Sequence, residues 1–129
     1  MEAALRARLL ADAGLSALVQ KISWLVRAQS SALPAITLQK VTLDRGYTYD
    51  GASGFRGETV QFDIWSNDDE MLLQIRGALT AALEKSAVAG GVTFSPSFLN
   101  SERQTVEDVA GVGAVFRISL DAIVWWQPS

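Results

Sequence analysis

The densest group of potential ligands in the chain is the run Asp68, Asp69 and Glu70, followed by Glu102, Glu107 and Asp108. Three carboxylates could hold magnesium or calcium, but consecutive residues on a helix point in different directions. The same run is also what a helix N-terminus selects, with capping side chains and negative charge beside the orphan amides. We read it as a cap. Glu102, Glu107 and Asp108 lack the alternating oxygens and central glycine of a calcium loop, and read as solvated loop charge. The glycines of GVGAVF, from Gly111, precede a strand, whereas a phosphate-cradling loop has its glycines between a strand and a helix. Ser95 and Ser97 have no histidine to activate them, because the chain contains neither His nor Cys. The lysines available for a Ser–Lys pair, Lys21, Lys40 and Lys85, stand in no recognisable motif. No catalytic, cofactor-binding or metal residue is assigned, and a protein that is not an enzyme and needs no cofactor is the expectation.

Composition narrows the class further. The 129 residues hold 49% apolar and 19% charged side chains, enough to build a core, and the length suits a single domain over residues 1–129. Missing cysteines exclude a disulfide framework and thiolate metal sites. A net charge of −3 argues against a protein that grips phosphate backbones through excess Lys and Arg. The opening MEAALRARLLADAGL is apolar along one stripe, but Glu2, Arg6, Arg8 and Asp12 interrupt it. That pattern predicts an amphipathic helix of a soluble cytoplasmic protein rather than a signal peptide or a membrane span.

Periodicity predicts the elements that would carry any surface. Leu5, Leu9, Leu10, Leu15, Leu18 and Val19 predict a helix over residues 2–19, with Gly14 as its interruption. Residues 20–33 read as a connector anchored by Trp24. AITLQKVTL predicts a strand over 35–44, and the glycine-rich stretch 45–57 a long loop. From 58 to 66, Val60, Phe62 and Ile64 alternate with Thr59, Gln61, Asp63 and Trp65, which predicts a strand with one buried face. Leu72, Ile75, Leu79, Ala82 and Leu83 predict a second helix that ends near Ser86, with AGG as its stop. VTFSPSFLNS reads as a strand interrupted at Pro96, and residues 103–113 as a second long loop. In the last strand Phe116, Ile118, Leu120, Val124 and Trp126 share one face; Arg117, Ser119, Asp121, Ile123 and Trp125 share the other. The expected fold is α+β: a four-stranded, mainly antiparallel sheet with two helices packed on one face, in the order α-β-β-α-β-β.

The polar sheet face is where these elements suggest a function. It mixes Thr59, Gln61, Asp63, Arg117, Ser119 and Asp121 with Trp65, Ile123 and Trp125. Either the loops or the Trp24 connector cover the two tryptophans within one subunit, or they anchor a subunit interface, where Trp is enriched among energetic hot spots. Tyr47 and Tyr49 of the first long loop are further interface candidates.

Four segments in this order resemble the tail-completion or tail-terminator proteins of long-tailed bacteriophages, which also occur in prophages and gene transfer agents. They are EAALRARLLAD, LPAITLQKV, the run YTYDGASGFRGETVQFDIWSNDDEMLLQIRGALTAAL and the closing FRISLDAIVWW. The resemblance covers nearly the whole chain and rests on order and spacing. It implies a structural virion protein, assembled in the host cytoplasm, that forms a ring, typically a hexamer, on the head-proximal end of the tail tube. Such a ring would stop tube polymerisation and join the head connector, and DNA would pass through its lumen. A globule of this length is roughly 36 Å across, and six in a ring leave a hole of about the same width, against roughly 20 Å for B-DNA. An acidic lumen would let DNA slide; Asp50, Asp63 and Asp121 are the lumen candidates. The implied partners are further copies of the chain, the tail tube protein, the connector or stopper protein, and DNA bound without sequence specificity, with no membrane involved. Alternatives are a small α/β binding module or another head–tail connector component such as a head-completion protein. A nucleic-acid module would want stacking aromatics among basic residues, and Arg117 is the one clear basic residue on that face.

Overall fold

A computed structural model describes residues 1–19, 21–24, 33–44, 47–48, 51–52, 56–109 and 113–128. The N-terminal apolar stripe folds as two helices, α1 (Glu2–Ala11) and α2 (Ala13–Ser16). The break falls at Asp12, two residues before Gly14, because the Asp12 backbone is extended and its Oδ1 accepts the Leu15 N–H at 2.9 Å. A side chain that caps a new helix ends the old one. The connector is not wholly irregular: β1 (Lys21–Trp24) pairs in parallel with β2 (Ala35–Asp44). The first long loop carries a two-stranded pair, β3 (Tyr47–Thr48) with β4 (Gly51–Ala52), before β5 (Arg56–Ser66) begins.

Helix α3 (Asp69–Leu83) starts where the acidic run requires it, with Asp68 as N-cap accepting from the Glu70 N–H. After it the sequence expectation breaks down. The AGG stretch is half of a hairpin, β6 (Ala87–Ala89) turning through Gly90 and Gly91 into β7 (Val92–Phe94). Both glycines have positive φ, 56° and 76°, as a two-residue hairpin turn demands. Residues 103–109, expected as loop, continue β8 (Phe98–Val109), and β9 (Gly113–Pro128) is the long central strand.

The sheet therefore has seven strands and the chain three helices among the described residues, not four strands and two helices in the order α-β-β-α-β-β. Strand order is β1-β2-β5-β9-β7-β6, with β8 also paired to β9. One edge of β9 binds β8 along Gly113–Ile123 and then β7 along Trp126–Pro128. The three missed strands are short, or exposed on both faces, so no alternation marks them.

Register explains the layering. Pairs Ile36–Ile64, Leu38–Phe62, Phe62–Leu120 and Ile64–Ile118 place the even-numbered residues of β2, β5 and β9 on one face. That face packs with Leu5, Leu9, Leu15, Leu72, Ile75 and Leu79 of the helices into a single buried cluster. Among the described residues the helices thus cover one side of the sheet, and no helix lies on the odd-numbered face.

Candidate functional site

The odd-numbered face is assembled from three neighbouring strands. Asp63 on β5 stands opposite Thr37 on β2 and Ser119 on β9. It is only 6% exposed. Ser119 Oγ donates to its Oδ1 at 2.5 Å, and Gln61 Nε2 reaches both carboxylate oxygens at 3.0 and 3.1 Å. Arg117 Nη2 lies 3.1 Å from Oδ2, so the charge is matched as well as hydrogen-bonded. The Arg117 guanidinium also lies over the Trp65 ring, 4.7 Å from its centre, and Trp65 Nε1 donates to Thr37 Oγ1 at 3.1 Å. A cation held between a carboxylate and an aromatic face is fixed in direction, which stiffens this part of the surface.

The remaining candidates lie along the same face. Trp65, Ile123 and Trp125 are half-buried there. Trp125 crosses Gly57 so closely that a Cβ at Gly57 would stand 2.6 Å from the indole ring. Each tryptophan is therefore partly covered by its own chain and partly exposed. Asp121 accepts from Ser101 Oγ at 2.9 Å through Oδ2, while its buried Oδ1 has no hydrogen-bond partner. Thus the structure brings Trp65, Asp63, Asp121, Ile123 and Trp125 together on one face. Tyr47 is on β3; Tyr49 and Asp50 fall outside the described residues.

Two polar clusters on the helix side escaped the sequence reading. Glu58, only 2% exposed, accepts from Trp126 Nε1 at 3.2 Å and pairs with Lys40 at 3.5 Å. Lys40 also meets Glu2 of α1 at 2.7 Å. Their hydrogen bond is the main reason the Glu2 carboxyl is held below its ordinary value and the Lys40 ammonium above it. The second cluster centres on Arg8, whose Nη2 donates to the carbonyls of Ala82, Leu83 and Lys85 where α3 ends. Burial lowers its pKa, and the Phe94 ring lies 5.1 Å away. Both clusters tie α1 to distant strands or helices. Sequence offers no sign of them, since the bonded partners are 18 to 77 positions apart in the chain.

Among the described residues no group of three or more His, Cys, Asp or Glu could hold a metal ion, and no helix is long and apolar enough to cross a membrane. The arrangement offers packing, ion pairing and a broad mixed surface. Comparison with known families is decisive at this point: the model of the tail completion protein gp17 family matches residues 3–126. The chain belongs to that family. Its role is structural, in the assembly of a phage-type tail. No curated protein matches the chain. A solved structure described as the virion of a native gene transfer agent particle contains a chain of similar fold. Its TM-score is 0.72 at 18% identity, over 98% of this chain and 94% of that one.

Proposed function

We propose that this tail completion protein is the terminator of the tail, acting as one domain that closes with further copies, typically six, into a ring on the head-proximal end of the tube. The ring stops tube polymerisation, presents the surface that receives the head connector or stopper, and lets DNA pass through its bore. The protein is then a component of the virion. The observation that carries this reading is the family match across residues 3–126. The likeness to a chain of a gene transfer agent virion supports it.

On this reading the helix-free face supplies the assembly surface. Trp65, Ile123 and Trp125, with Tyr47 and Tyr49 nearby in sequence, are subunit contacts; half-buried aromatics anchored from below are what interfaces use as hot spots. Asp121 and Asp50 are the bore carboxylates that keep phosphates from being trapped. Asp63 shares the face, but Arg117 already matches its charge, so it contributes through the network rather than as a free repelling charge.

Electron micrographs of particles made without the protein test the proposal. Abnormally long or headless tails are expected. Tails of normal length already joined to heads would overturn the terminator role.

A further inference from the structure

Strand β8 is paired to β9 along one edge and has no partner along the other among the described residues. Every described side chain from Leu99 to Val106 is exposed, Val106 by 63% and Leu99 by 41%. On the helix side, hollows of about 400 and 390 Å³ lie between β8 and α3, beside the ion pair Arg76–Glu102 at 3.3 Å. Exposed Leu73 of α3 lines the second with Val106 and Phe116. An open edge of this length with apolar side chains beside it is a template for another strand, which native proteins cover or blunt.

At the other flank of the sheet, β1 covers β2 only from Ala35 to Leu38. Beyond Leu38 the outer edge of β2 has no partner among the described residues, and there Val41 is 50% exposed, at a bulge in the β2–β5 register. The two flanks differ in charge. β8 carries Glu102, Glu107 and Asp108 against Arg103, whereas the facing flank carries Lys21 on β1 and Lys40 against Asp44 on β2, so the first is net acidic and the second is not.

We propose that the open edge of β8 in one copy adds to the outer edge of β2 in the next, continuing the sheet from subunit to subunit. This rests on the ring reading above and adds the two sheet edges to the subunit contacts proposed there on the helix-free face. Two different edges meeting head to tail form a heterologous contact, which closes into a ring when the rotation per copy allows; β8 against β8 would stop at a dimer and oppose like charges. Main-chain hydrogen bonds supply the pairing, Val106, Leu99 and Val41 lose exposed surface, and the acidic strand meets the basic flank. The helix-free face then runs on from copy to copy, which brings Asp121 of each subunit to the same side of the assembly.

The absence of cysteine makes the test clean. A Val41→Cys/Val106→Cys double variant, concentrated alone and assembled into particles, is treated with a short bis-maleimide and run on a denaturing gel. A ladder of covalent oligomers from the double variant, with monomer from each single variant, is expected. Alongside it, Val106→Lys should raise the concentration for half-assembly at least tenfold while the circular dichroism of the monomer stays unchanged. Oligomers by light scattering without a ladder would overturn the edge pairing and leave the ring in place. Dimers from Val106→Cys alone would show β8 pairing with itself and overturn it equally. A monomer in solution and in particles alike would remove the ring reading, and the edge pairing with it.

Discussion

Asp63 shows what a single residue decides in this fold. Alternation along β5 places it on the polar face beside Gln61 and Trp65, and as a lone carboxylate it would be a natural lumen charge. Its burial comes from Ser119 and Arg117, which lie more than fifty positions away in sequence and become neighbours only through the β5–β9 register. Removing one partner of a buried pair leaves the other uncompensated. Arg117 Nε already has no hydrogen-bond partner. Asp63→Asn should therefore cost about 3 kcal/mol, read by urea unfolding, and should shift the fluorescence of Trp65 as the stacked guanidinium is released. A loss indistinguishable from zero would show that the network is dispensable.

At the scale of elements, local rules worked where one chemistry dominates. The Asp68 cap and the stripe from Leu72 to Leu83 place α3 to within a few residues, and Val60, Phe62 and Ile64 place β5. They failed for β1, β6 and most of β8. Hydrophobic alternation reports a strand that buries one face, and β8 buries neither in its described part. The AGG stretch signals a turn whether a helix has just ended or a hairpin is about to form, and here both happen in succession. Arg8 is the element-scale tie: it reaches from α1 to three carbonyls at the end of α3. Arg8→Met keeps the apolar stem but abandons those carbonyls, so a loss of about 3 kcal/mol is expected. Faster hydrogen exchange in the last turn of α3 would accompany it; unchanged thermal unfolding would contradict it.

For the whole molecule, the proposed ring asks which surfaces would face a neighbour and which would face DNA. Among the described residues the helices occupy one side of the sheet, so the proposed assembly uses the other side and the edges. On the ring reading proposed above, Asp121 is the better lumen candidate of the pair, because Arg117 already neutralises Asp63 while no ion pair of Asp121 is found among the described residues. Asp121→Lys should leave ring formation intact, as seen by light scattering, but slow DNA delivery by particles that carry it. Normal infectivity or transfer would exclude Asp121 from the bore.

From sequence alone came the absence of the usual catalytic groups, the two strong elements α3 and β5, the partition of β9 into an apolar and a polar face, and the resemblance that the family match then bore out. These depend on residue type and on spacing within one element, which a linear chain displays directly. The number of strands, the branching of pairs along β9, the burial of Asp63 and the open edge of β8 were decided only by tertiary structure. Each depends on which strand lies beside which, and pairing energy between distant segments leaves no mark on either segment taken alone.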